Sequence, residues 1–291
     1  MEYTIQNEHL SVCVSETGGE LMSIRSADGT QYLWQGDSKY WAGRSPNLFP
    51  FVGRLEQGRY TLEGQSYELT IHGFVRRAQM ECERHSEQSL WLRITDSEET
   101  RKFYPFAFEY RIGYTLNGST LEVEYAVTNP GEKTMYFGIG AHPGFNVPLS
   151  EGAQFEDYYL EFPQTHTPNL ELFSDACLMT GAREPYPLVE NRRLPLSHDL
   201  FHQDALVFSS INRSVTLKTD KDPRFVRVDY PQMPYLGLWH KPRTDAPYLC
   251  IEPWVSLPGN DGEITALEAK GDLISLESGK QYRNQWSITI G

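Results

Sequence analysis

Three stretches of the chain set ionisable side chains inside apolar, glycine- or proline-rich sequence. The first is Asn47-Leu48-Phe49-Pro50-Phe51-Val52-Gly53-Arg54, with His72-Gly73-Phe74 shortly after it. Arg54 offers a planar fork of donors suited to hydroxyl or carboxylate oxygens, or else it ends a strand at the surface. His72 reads as a structural hydrogen-bonder or as a catalytic group. The second stretch is Phe137-Gly138-Ile139-Gly140-Ala141-His142-Pro143-Gly144-Phe145-Asn146. The proline after His142 restricts its backbone, and the glycines let a ligand approach the main chain. The third is Tyr248-Leu249-Cys250-Ile251-Glu252-Pro253-Trp254. Glu252 ends an apolar strand pattern, where an unpaired charge is costly, so its carboxylate is paired, protonated or functional. Asp204, ahead of Ala205-Leu206-Val207-Phe208, and Trp239-His240-Lys241 are weaker candidates. Imidazole and carboxylate groups offer acid–base chemistry.

Strands must position these groups, because period-two alternation dominates the chain. Leu121, Val123, Tyr125 and Val127 alternate with Glu122 and Glu124, which describes a strand with one buried face. The run 106–114 alternates as well, and Asn117-Gly118 between the two predicts a hairpin whose turn residues both take positive φ. Asp28-Gly29 and Glu63-Gly64-Gln65 punctuate the chain in the same way. Further strands are predicted over 89–95, 205–208, 215–218, 225–229, 248–252 and 285–290. A single helical turn is expected over 97–103, with Ser97 as its N-cap. The middle of the chain, with Pro163, Pro168, Pro185, Pro187 and Pro195, reads as long loops. The pattern predicts an all-β, large antiparallel sandwich or barrel. No internal repeat or linker is visible, so residues 1–291 are expected to form one domain.

Composition narrows the function. The 291 residues carry 26 basic and 39 acidic side chains, a formal net charge of −13, and no basic cluster, which argues against nucleic acid. No apolar run approaches the roughly 18 residues of a membrane span, and no signal peptide is visible after Met1. The four cysteines are scattered without a Cys-x-x-Cys pair. Cys13, Cys82 and Cys250 fall in strand patterns, where buried free thiols are expected. A cytoplasmic location follows.

Taken in order, Asn-Leu-Phe-Pro-Phe-Val-Gly-Arg (47–54), His-Gly-Phe (72–74), Ala-His-Pro-Gly-Phe-Asn (141–146), Asp-Ala-Leu-Val-Phe (204–208) and Ile-Glu-Pro-Trp (251–254) resemble the aldose 1-epimerase (galactose mutarotase) family, specifically its LacX-like branch. The resemblance spans essentially the whole chain. It departs at Arg77, where an acidic residue or Asn is often found. It implies a galactose-mutarotase-type β-sandwich that interconverts the α and β anomers of an aldose. On matching positions, His142 would be the general acid and Glu252 the general base. His72 would support the acid and bind sugar, and Arg54 and Asp204 would hold hydroxyls.

Anomer exchange opens a hemiacetal: a base takes the C1 hydroxyl proton while an acid protonates the ring oxygen. One carboxylate and one imidazolium suffice, so no cofactor and no metal is expected, in keeping with the missing P-loop and dinucleotide fingerprints. Glu252 and Asp204 are expected to hold His142 protonated against desolvation. Acid and base are expected at opposite edges of one hollow, and Phe145, Trp239 or Trp254 could meet the apolar sugar face. Three other readings stand beside this one. A phosphorylated hexose would call on Arg76, Arg77, Lys241 or Arg243. A non-catalytic carbohydrate-binding sandwich would share the fold, and a metal enzyme would join two histidines and a glutamate. The sequence leaves open whether His166, His198 or His202 reach the site.

Overall fold

In the strand Thr120–Thr128, Leu121, Val123, Tyr125 and Val127 are buried while Glu122 and Glu124 lie on the wetter face, as the alternation predicts. The computed structural model describes all 291 residues and is almost entirely antiparallel β. Its only α-helix is the turn Glu98–Arg101, where the Ser97 side chain accepts from the Thr100 amide as the N-cap.

Two large sheets form a sandwich. The nine-stranded sheet is centred on Gln281–Ile290, Thr120–Thr128 and Glu109–Asn117. The eight-stranded sheet runs from Met179–Pro185 through Asn169–Phe173, Leu206–Ser209, Tyr235–Trp239 and Tyr248–Trp254 to Gly140–Ala141 and Asn47–Leu48, with Gly144–Asn146 also on Tyr248–Trp254. One cluster of 63 buried residues, from Ile5 to Ile290, takes side chains from both sheets. Polar atoms bridge the two sheets inside this core: Tyr125 Oη of the larger sheet donates to Asn47 Oδ1 at 2.9 Å, and the Asn47 amide donates to Tyr114 Oη at 3.3 Å. The Asn47 amide in turn donates to the Gly18 and Gly19 carbonyls.

Three expectations need correction. The Pro-rich middle is not loop throughout, since it holds the strands Tyr158–Glu161, Asn169–Phe173, Met179–Pro185 and Arg193–Pro195. Pro185 and Pro195 terminate the outermost strands of the two sheets, where a missing backbone donor costs no ladder bond. In the hairpin, Asn117 still pairs with Thr120 and only Gly118 takes positive φ, so the two-residue turn is Gly118-Ser119. Of the three strand cysteines only Cys250 is buried; Cys13 is partly exposed, and Cys82 lies exposed on the outer strand Glu81–His85. All four thiols are free.

Candidate active site

Sheet register brings His142 and Glu252 together. Gly140 pairs with Trp254 and Gly144 with Cys250, so His142, midway between the two glycines, falls directly opposite Glu252. The side chains touch, with His142 Nε2 3.3 Å from Glu252 Oε2, and they are 11% and 2% exposed. Acid and base were expected at opposite edges of a hollow. They stand instead side by side on one wall, because adjacent antiparallel segments carry them.

Their shared cavity has a volume of about 490 Å³, within the range of small-molecule sites. Arg54, His72, Asp204 and Trp239 also line it, so all six residues singled out from the sequence meet there. Arg76, Lys241 and Trp254 reach the same cavity. Phe145 is fully buried in the core and does not line it. Arg77, Arg243, His166, His198 and His202 lie outside the lining. His198 is engaged elsewhere, with Nδ1 3.1 Å from His240 Nε2 and its ring stacked on Phe155.

A reciprocal clamp fixes His72. Its backbone N–H donates to the Gly53 carbonyl at 3.0 Å, and the Gly53 N–H donates to His72 Nδ1 at 3.1 Å. Because Nδ1 accepts, the neutral ring carries its proton on Nε2 and presents a donor. His72 takes a φ of 64°, an uncommon conformation for a non-glycine residue. Gly73 follows at φ 69°, and a Cβ there would stand 2.1 Å from the Phe49 carbonyl oxygen. Only glycine allows this approach, which holds the His72 turn against the segment leading to Arg54.

Asp204 is gripped on both oxygens. Trp239 Nε1 donates to Oδ1 at 2.8 Å, and the Cys177 thiol donates to Oδ2 at 2.8 Å. Burial and this bond to Asp204 push the Cys177 thiol up to about 11, so it remains a donor at neutral pH. Sequence reasoning missed Cys177, which stands 27 residues from its partner. It also missed Trp41, whose ring stacks on His142 with centroids 5.0 Å apart. Its only signal was the aromatic pair Tyr40-Trp41 in an otherwise turn-like segment.

Burial sets the protonation of the central pair. It raises Glu252 well above the usual carboxylate range, reinforced by the Asp204 charge. It also lowers His142 to about 3, with Arg76 adding to the effect. His72 is lowered by burial too, and by His142, Arg76 and Arg54. The expectation of a standing imidazolium at His142 is therefore reversed. Glu252, itself stripped of water, does not supply the negative charge that would hold it.

A metal could draw only on His142, Cys250 and Glu252, whose donor atoms lie within 4.8 Å of one another. The set holds one histidine where the metal reading called for two. His142 Nδ1 is buried and meets no acceptor from another residue, so the neighbour that normally orients a metal-bound imidazole is missing. The set does not fit a resident ion.

The chain belongs to the aldose 1-epimerase family, whose sequence profile matches residues 1–289. Among individual proteins, it is 35% identical to the LacX protein of Lactococcus lactis subsp. lactis, over 100% of this chain and 99% of the relative. A galactose mutarotase related enzyme from Lactobacillus acidophilus superposes with a TM-score of 0.94 at 37% identity, covering 100% of this chain and 97% of the other. A galactose mutarotase-like protein from Lactobacillus casei gives 0.94 at 30% identity over the full length of both. No helix is long and apolar enough to cross a membrane.

Proposed function

We propose that the protein is an aldose 1-epimerase that interconverts the anomers of a hexose, with His142 and Glu252 as its proton carriers. The observation that carries this reading is their direct contact on the wall of a sugar-sized cavity. The hydroxyl oxygen O1 and the ring oxygen O5 of a pyranose share one carbon, so the groups that serve them must also be neighbours. The pair holds one mobile proton, and transfer across 3.3 Å decides which partner carries it. With the proton on His142, the Glu252 carboxylate takes the proton from O1 while the imidazolium gives its own to O5. The C1–O5 bond breaks and an open-chain aldehyde forms. After rotation about C1–C2, the same two transfers run backwards and close the ring as the other anomer. His72 donates to a sugar oxygen through Nε2, Arg54 and Asp204 hold hydroxyls, and Trp239 faces the apolar side. Polarimetry on freshly dissolved α-glucose and α-galactose tests this. Equilibration well above the buffer rate is expected, and binding without acceleration would leave a non-catalytic sugar-binding sandwich.

A second reading, a hexose phosphate, is favoured by charge. Arg54, Arg76 and Lys241 line the cavity, and none of them pairs with a carboxylate, in a chain of net charge −13. The buried Nε of Arg76 has no partner. Comparing kcat/KM for a hexose and its 6-phosphate decides between the two. A higher value for the neutral sugar removes the second reading.

A further inference from the structure

We infer that Trp41 is the positioning residue of His142: its indole face, in place of a hydrogen bond, holds the imidazole opposite Glu252. For its consequence in turnover this rests on the epimerase reading. Working imidazoles are usually oriented by an acceptor on the nitrogen away from the chemistry. His142 finds none in another residue, because Nδ1 is buried and meets only the residue's own backbone, and the one contact of the ring with another polar side chain is Nε2 to Glu252. One contact does not fix a planar ring against rotation about its Cβ–Cγ bond.

Three rings supply the restraint. His72 and Trp239 meet His142 edge-on, at 5.5 Å and 85° and at 5.7 Å and 77°. Trp41 alone lies nearly parallel to it, at 5.0 Å and 28°. Offset stacking of this kind is a favoured aromatic geometry, and it blocks the volume a turning imidazole would sweep. The same face attracts the ring when it carries a proton during the reaction.

The loop holding Trp41 is itself tied down. Trp34 Nε1 donates to the Trp41 carbonyl at 2.8 Å, and the neighbouring Tyr40 hydroxyl donates to Asp245 Oδ1 at 2.9 Å. Gly144, two residues after His142, leaves the space the indole fills, since a Cβ there would stand 3.1 Å from Trp41 Cζ3. Trp239 closes the other edge of the indole at 5.6 Å, with its own N–H held by Asp204.

The test compares Trp41→Leu and Trp41→Phe with the unaltered protein. Trp41→Leu should lower kcat about tenfold or more with KM changed less than about threefold, and Trp41→Phe should restore most of kcat. Nitrogen NMR of the histidine rings gives a reading that needs no turnover. The His142 resonances should be one sharp set in the unaltered protein and Trp41→Phe, and broadened or doubled in Trp41→Leu. If Trp41→Leu does not fold, Trp41→Met keeps the bulk without a ring face and takes its place. A rise in KM alone would make Trp41 a sugar platform and overturn the inference, as would His142 signals equally sharp without the indole. If the unaltered protein does not equilibrate anomers, the epimerase reading falls, while the NMR comparison still decides the role of Trp41.

Discussion

The Glu252 carboxyl, 2% exposed, has exchanged its water for His142 and little else, so its removal should separate binding from turnover. Glu252→Gln keeps the shape and loses the base. We expect kcat to fall by ~10²–10⁴ with sugar affinity, read by calorimetry, within a few fold; unchanged turnover would place the base elsewhere. The pH profile follows from the same pair. Losing its single proton at high pH removes the acid, and gaining a second at low pH removes the base. Because Glu252 is pushed up and His142 down to about 3, both limbs move outward. Rates should show no step where a free imidazole titrates, near pH 6.5, and should fall in strong acid, as His142 gains the second proton, and on the alkaline side, as the pair loses its one. A step centred near pH 6.5 would instead assign an ordinary, solvated histidine. Four of the six residues read from the sequence, Arg54, His72, His142 and Glu252, share one property: each is a polar group whose neighbours in the chain are apolar or glycine, whereas Asp204 follows Gln203 and Trp239 precedes His240, and both were weaker candidates. Trp41 and Cys177 lacked the contrast, since an aromatic or a thiol in a loop carries no sign of what folds against it.

Between residue and domain, the link from Tyr125 to Asn47 joins the larger sheet to the strand that pairs with Ala141, next to His142. Tyr125→Phe would leave Asn47 Oδ1 without its donor inside the core. A loss of ~1–3 kcal/mol in stability is expected, together with a drop in kcat if the sheet transmits the shift to His142. Urea unfolding and steady-state rates measure the two, and unchanged stability would show that water or another donor takes over. Strands such as Ser89–Thr95 and Phe225–Asp229 were legible because alternation encodes one wet face. The edge strands Met179–Pro185 and Arg193–Pro195 were not, because exposure leaves them without an apolar stripe and proline signals a break. The register that sets His142 opposite Glu252 is also invisible in sequence, being a relation between segments more than a hundred residues apart.

For the molecule as a whole, buried neutral imidazoles predict sensitivity to acid. His240 is fully buried, and its ring bridges the Lys241 carbonyl and His198. Burial lowers it to about 4. A histidine depressed in the fold stabilises it fully above its unfolded value near 6.5, and this contribution is lost as pH falls toward the folded value. His240 alone then accounts for roughly 3 kcal/mol between about pH 6.5 and 4. Thermal melting should drop across that window, and His240→Gln should flatten the slope; an identical slope would assign acid lability to groups other than His240. The placement of the site has a longer-range consequence. Glu252 stands on the strand Tyr248–Trp254 inside a sheet and His142 between the two short strands that pair with it, whereas Lys241 and Cys177 come from connecting segments around the rim. Descendants of such a protein can exchange the rim and acquire new sugars while the ring-opening step is inherited intact. Diversity in this lineage should therefore accumulate in what is admitted rather than in what is done to it.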